Sequence, residues 1–352
     1  MTNKLKKHFP MIRDREELLE IIYNNKGLKK TFYSWKEERQ KEFLDFCTGV
    51  RGVKLLYDSF FKEVMNPEYA PERLEQLLSI LLNRKVKIQQ ILTNDSTRIA
   101  EESALLVTDI IVELEDGSIA NVEVQKVGYH FPGQRSACYS ADMLLRQYKR
   151  VRNQQKDKFS YYQIKSVFLI VLYESSPKEL KAFPQRYIHR SKQIFDSGLQ
   201  LEMSQEYVMI SLDIFQGAMQ NKNIETKLEA WLTFLGCDDP EKIVELITTY
   251  PEFKAMYETL YQICQNVEGV MGFFSEELRI MDQNLAQYMI EEQQKEIEAN
   301  QKIIEENQKV IEKQRREITE RDAQLEERDA QLEEKDVQIE RLKKELEKYK
   351  KL

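Results

Sequence analysis

The chain has 352 residues, 41% hydrophobic and 10% aromatic, which supplies enough apolar surface for a sizeable core and excludes a disordered chain. Gly (11) and Pro (8) are scarce, which argues against a loop-rich all-β fold and for one dominated by helices. The net charge of −7 does not exclude a nucleic-acid partner: Glu291 to Leu352 alone holds 15 Lys or Arg against 19 Asp or Glu, −4 of that total, so the average hides local basic patches.

Cys47, Cys138, Cys237 and Cys264 are far apart and form no C-x-x-C spacing, which points to buried free thiols, not to a disulfide framework or a structural zinc site. The N-terminus carries lysines but no apolar signal core, and no run approaches the roughly 18 apolar residues needed to span a bilayer. A cytoplasmic protein with no membrane partner is expected.

Residues 1–48 carry helical patterns, with Leu18, Leu19, Ile21 and Ile22 before a turn at Asn24 to Gly27, and read as an N-terminal helical extension. Helices are expected at Leu55 to Val64 and at Pro71 to Leu82, the second opened by its Pro and carrying Leu74, Leu77, Leu78 and Leu81 on one side. Three strands follow, at Val86 to Leu92, Leu105 to Leu114 and Ile119 to Gln125. A helix is then expected at about Gln134 to Asn153, a buried strand at Ser166 to Tyr173 and a last strand near Val208 to Ile214. The region from Lys222 to about Met281 is helical, with Trp231, Phe234, Leu246, Tyr257, Leu260 and Tyr261 as core candidates.

From about Asp282 the sequence lacks Gly and Pro and carries the near-repeats RDAQLEE, RDAQLEE and KDVQIER. Ile304, Ile311, Ile318, Leu325, Leu332, Ile339 and Leu346 recur every seven residues, as one coiled-coil seam position does. The second seam position is polar at Asn307, Gln314, Arg321, Arg328 and Lys335, so a weakly held coiled coil or a partly solvated long helix is expected, serving homo-oligomerisation. The expected division is 1–48, a core at 49–217, a helical subdomain at 218–285 and the long helix at 286–352.

The chemistry gathers on two strands. Their link, Glu115-Asp116-Gly117, suits a three-residue hairpin loop, with Gly in the left-handed position. That length places 109 opposite 123 on one face, whereas a two-residue loop would separate them. Alternation adds Asn121 and Gln125 to the face of Glu123 and sends Val122 and Val124 to the other. Two carboxylates, Asp109 and Glu123, with the carbonyl of Val124 in reach, suit Mg²⁺ (or Mn²⁺), which prefers oxygen ligands. Such an ion lowers the pKa of a bound water and neutralises charge developing on a phosphodiester oxygen.

On the next helix Arg135, Tyr139, Asp142, Arg146 and Lys149 follow spacings of four, three, four and three and share a face, leaving Leu144, Leu145, Tyr148 and Val151 to point toward the sheet. With Arg150 and Arg152 this helix could follow a phosphate backbone. His130 lies in the loop beside the hairpin, and Glu72 or Glu75 could add a carboxylate.

Asp109, Glu123-Val124-Gln125 and the preceding Tyr57-Asp58-Ser59-Phe60-Phe61-Lys62 resemble the PD-(D/E)XK nuclease family transposases, also called recombination-promoting nucleases. The similarity runs from about Val53 through GYHFPGQRSACYSADMLLRQYKR and more loosely to about residue 290. The resemblance implies a restriction-endonuclease-like α/β core of α-β-β-β-α-β order, a mixed sheet flanked by helices, with Asp109 and Glu123 binding a divalent metal. Gln125 stands where most of the wider superfamily has Lys; it can position water by hydrogen bonds but supplies no positive charge. Thr108 replaces the name-giving Pro, which makes no metal contact. The expected function is a metal-dependent DNA endonuclease linked to a mobile element or recombination, with Asp109, Glu123 and Gln125 catalytic and Arg135, Tyr139, Arg146, Lys149, Arg150 and Arg152 on DNA. The alternative is a catalytically weak or inactive nuclease-fold DNA-binding or scaffold protein assembled through its coiled coil.

Overall fold

The computed structural model describes residues 3–92, 110–127, 133–191, 193–201 and 203–349. The chain divides into two units, Met1–Asp282 and Gln283–Leu352.

The first unit opens with helices α1 (Lys4–His8), α2 (Arg15–Asn24), α3 (Lys26–Ser34), α4 (Glu37–Cys47), α5 (Asp58–Val64) and α6 (Pro71–Leu81). Strands β1 (Ile88–Ile91), β2 (Ile110–Leu114) and β3 (Ile119–Val127) lead to α7 (Gly133–Gln155), and two 3₁₀ turns, Lys156–Lys158 and Tyr161–Gln163, lead to β4 (Val167–Ser175). Then come α8 (Lys178–Lys181), β5 (Ile188–Ser191), β6 (Gln205–Ser211), α9 (Leu212–Met219), α10 (Lys227–Gly236), α11 (Pro240–Thr249), α12 (Glu252–Ile263) and α13 (Val267–Tyr349), which runs into the second unit.

Among the described residues the strands form one mixed sheet in the order β1-β2-β3-β4-β6-β5. The β1-β2-β3 meander and the β5-β6 pair are antiparallel, while β3-β4 and β4-β6 are parallel. The expected mixed sheet flanked by helices is therefore present.

Alternation sorts the side chains into two cores. Val112, Ala120, Val122, Ile170, Leu172 and Ile210 enter the larger core with Phe60, Phe61, Leu77, Leu78, Trp231, Phe234 and Tyr257 from the helices. Ile111, Ile119, Leu169, Val171 and Tyr173 face the smaller core, closed by Tyr139 and Met143 of α7. The N-terminal helices share the larger core through Leu5, Phe9, Leu18, Ile22, Phe32 and Phe43. All six core candidates between Trp231 and Tyr261 are buried.

Three details depart from the sequence reading. The strand β5, Ile-His-Arg-Ser, was not expected: it has no apolar alternation, and its strand geometry comes from pairing with β6. The last strand ends at Ser211, short of the expected Ile214: α9 begins at Leu212, and the largely apolar stretch Val208 to Phe215 runs across that boundary. Of the cysteines only Cys47 and Cys264 are buried; Cys138 is exposed on the outer side of α7 and Cys237 is half-buried.

In the second unit the described residues from 283 to 349 are helical. The seven heptad residues are each roughly half exposed, from 47% at Ile339 to 58% at Leu332 and Leu346.

Candidate active site

The site face begins with the β2–β3 hairpin. Leu114 N–H donates to Ser118 O at 2.9 Å and Gly117 N–H to Leu114 O at 2.8 Å, closing the expected three-residue loop 115–117. Gly117 has φ +82°, a conformation in which any Cβ is strained. Ile110 pairs with Val122, Ile111 with Asn121, Val112 with Ala120 and Glu113 with Ile119. This register turns Ile111, Glu113, Ile119, Asn121, Glu123 and Gln125 toward α7. Asp109, Thr108 and His130 lie outside the described residues.

Glu123 is 1% exposed and accepts a hydrogen bond from Asn121 Nδ2 at 2.7 Å; Asn121 is itself fully buried. The amide thus supports one carboxylate oxygen on the strand that carries it. Gln125, one step further along this face, is half-buried.

Lys126 follows Gln125 in sequence yet belongs to the other face. Its Nζ lies 2.6 Å from Glu277 Oε1 of α13 and 3.8 Å from the centroid of the Tyr57 ring. Burial pulls the Lys126 ammonium below the ordinary lysine range, against the opposing pull of Glu277. Beyond Tyr57, its hydroxyl donates to Glu42 at 2.7 Å, Arg39 pairs with Glu42 at 2.6 Å, and Lys54 sits 3.6 Å from Glu42 and 3.4 Å from Glu174.

Helix α7 covers the site face with polar side chains. Its buried residues are Ser136, Tyr139, Ser140, Asp142, Met143 and Gln147. Arg135 donates to the Tyr139 hydroxyl at 3.0 Å, and Arg146 Nε pairs with Asp142 at 2.7 Å. Gln147 fastens the helix to the hairpin: its amide donates to Gly117 O and its carbonyl accepts from Lys165 N–H, each at 2.8 Å. Arg150 pairs with Glu113 of β2, which also accepts from Gln90 of β1.

The shared face of Arg135, Tyr139, Asp142 and Arg146 is therefore present, and it is turned inward. The expectation that Leu144, Leu145, Tyr148 and Val151 point to the sheet holds for Leu144, which packs against the smaller core, and is corrected for Leu145, which is 45% exposed; Tyr148 and Val151 are half-buried. Tyr139 and Met143 pack on Ile111, Ile119 and Val171, and the two serines allow that approach. Lys149 and Arg152 are exposed at the far end.

Glu123 and Gln125 thus share by parity the sheet face on which Tyr139 packs, Arg135 is bonded to Tyr139 and Arg146 to Asp142 within α7, Arg150 is paired with Glu113, and Lys149 and Arg152 lie outward. Lys62 of α5 lines a cavity of about 210 Å³ with Leu92, Ile110 and Ile111, at the start of β2. Glu75 is tied to Lys87 Nζ at 2.6 Å and to the backbone N–H of Ile88 at 3.0 Å, holding α6 to β1. The part played by Glu113 was not anticipated, although its parity with position 109 put it on the site face. Among the described residues no three acidic, histidine or cysteine side chains group as a metal cluster, and no helix is long and apolar enough to cross a membrane.

No curated protein and no solved structure matches the chain. Residues 55–292, more than half of its length, match the family described as PD-(D/E)XK nuclease family transposase, and the chain belongs to that family.

Proposed function

We propose that the protein is a divalent-metal-dependent DNA endonuclease, linked to a mobile element or to recombination, with Asp109 and Glu123 as metal ligands. The observation that carries this reading is Glu123: a carboxylate almost fully buried, supported by a neutral amide, on a strand face shared with Gln125 and covered by the polar side of α7. A carboxylate held in a fixed place on a strand supplies hard oxygen donors, which fit Mg²⁺ or Mn²⁺. Asp109 has the chain parity of Ile111 and Glu113, both of which face α7.

When bound, the ion supplies Lewis-acid polarisation of the phosphate and a more acidic water. The chain's residues do the rest. Gln125 has both a donor and an acceptor with which to orient water, and Arg135 brings a guanidinium on the helix that covers this face. Hydrolysis adds hydroxide to phosphorus, breaks one P–O ester bond and delivers a proton to the departing oxygen.

The tail supports self-association. Ile290 and Ile297 extend the seven-residue spacing upstream of Ile304, and all of these residues are exposed in the single chain. A coiled coil of two chains brings together two sites, as cutting both strands requires.

The test is nicking of supercoiled plasmid by purified protein with Mg²⁺, with Mn²⁺, with EDTA and with Asp109→Ala, the fold checked by circular dichroism. Metal-dependent nicking lost with EDTA and in the variant is the expected result. DNA binding without nicking under any divalent metal would favour the scaffold, whose support is Gln125 in place of a cation.

A further inference from the structure

Downstream of the site, the end of α7 and the two 3₁₀ turns after it build a second surface. Between Arg146 and Lys158 lie six basic residues and one acid, Asp157. Arg146 and Arg150 are paired with Asp142 and Glu113, while Lys149, Arg152, Lys156 and Lys158 are exposed.

Aromatic rings are interleaved with these cations. Tyr148 meets Phe159 edge-on at 5.5 Å, Phe159 meets Tyr161 edge-on at 5.1 Å, and Tyr148 and Tyr161 lie nearly parallel, 11° apart with centroids at 6.1 Å. The Arg152 guanidinium stands over both Tyr148 and Phe159, at 5.7 and 6.0 Å. From this base Tyr161 and Tyr162 project to 71% and 96% exposure.

Tyrosine normally buries most of its ring, so two neighbouring rings left in solvent forgo a large apolar gain. Their backbone is fixed by hydrogen bonds: a capping box joins Ser160 and Gln163, with Gln163 accepting from Ser160 N–H at 2.8 Å, and Phe159 N–H donates to Lys156 O at 3.2 Å.

We propose that Tyr161 and Tyr162, with Lys149, Arg152, Lys156 and Lys158 around them, form a stacking site for unpaired nucleobases, which binds a single-stranded stretch of DNA beside the cut. Duplex DNA offers its base edges and phosphates, whereas the faces of bases are open only where strands are unpaired. Exposed rings set among cations match that second chemistry: the rings stack on bases and the cations follow the phosphates. Tyr148 follows Tyr139 by nine residues, about 14 Å along the helix, so the surface grips substrate away from the reacting bond. The proposal rests on the DNA-substrate reading above.

The experiment measures fluorescence anisotropy of labelled single-stranded and duplex oligonucleotides with the full chain in EDTA, which prevents cleavage. Tyr161→Ala/Tyr162→Ala is compared with wild type, with Tyr161→Phe/Tyr162→Phe and with Lys149→Gln/Lys156→Gln. The expected result is a loss of single-strand affinity of about tenfold per ring in the alanine variant, recovery in the phenylalanine variant and a duplex affinity within about twofold of wild type. The lysine variant should weaken both ligands and reduce the salt dependence by about one charge per lysine. Single-strand binding by the alanine variant equal to wild type, while wild type binds both ligands, would overturn the stacking site alone. Wild type binding neither ligand would overturn the DNA-substrate reading and this site with it.

Discussion

On the α7 side of β3, Asn121, Glu123 and Gln125 gather hydrogen-bonding groups beneath a polar helix face, whereas on the opposite side Val122, Val124 and Lys126 close the larger core. Glu123 and Lys126 are only three residues apart, yet the first accepts from Asn121 on the α7 side and the second meets Glu277 and the Tyr57 ring on the other. Strand parity decides this. A lysine directly after Gln125 looks like a displaced catalytic cation, but a step of one residue moves its side chain through the sheet, where Glu277 and Tyr57 hold it. The α7 side buries a carboxylate beside amides, and the core face uses its charges to fasten α4, β4 and α13 together around Tyr57.

The comparison can be broken from either side. The largest effect is expected for Glu123→Ala. Outer-shell partners of metal ligands alone are worth about 10–100-fold, so losing a ligand should lower plasmid nicking by at least about 100-fold, as measured by the rate of supercoil loss. Lys126→Met should instead act on stability, by roughly 3–5 kcal/mol in denaturant unfolding, because it removes the ammonium 2.6 Å from the buried Glu277 carboxylate. The double variant Lys126→Met/Glu277→Leu should recover most of that loss. Tyr139→Phe removes the hydroxyl that accepts from Arg135, at about 1 kcal/mol, and should show as a modest fall in both melting and nicking.

The smallest effect concerns pH on the core face. Burial disfavours ionised Glu42, but the Tyr57 hydroxyl, Arg39 and Lys54 outweigh it and hold the carboxyl below the ordinary glutamate range. A depressed carboxyl pKa gives stability that is complete above the unfolded value, about pH 4.3, and is lost as pH falls through the folded value. Glu42→Gln should therefore flatten the acid limb of the stability curve. An unchanged acid limb would show that Glu42 does not carry it.

Much of this was legible in sequence. The loop Glu115-Asp116-Gly117 set the hairpin register, and with it the face of Glu123, because Gly at a left-handed position and strict alternation are local rules. The leucines of α6 and the aromatics of α10 and α12 announced themselves by spacing. The inward side of α7 did not, because a polar stripe and a leucine stripe compete and only the sheet beneath shows which is buried. Asn121 was placed on the correct face, but its bond to Glu123 depends on side-chain geometry. The pairing of Lys126 with Glu277 joins residues about 150 positions apart, beyond any local pattern.

The most direct measurement is a side-by-side plasmid cleavage assay of Glu123→Ala and the Lys126→Met/Glu277→Leu double variant in Mg²⁺ and in EDTA, both shown to be folded. The expected result is no metal-dependent nicking by the first and nicking within a few-fold of wild type by the second. Wild-type cleavage by Glu123→Ala, or a folded but inactive double variant, would contradict the assignment of chemistry to the α7 face.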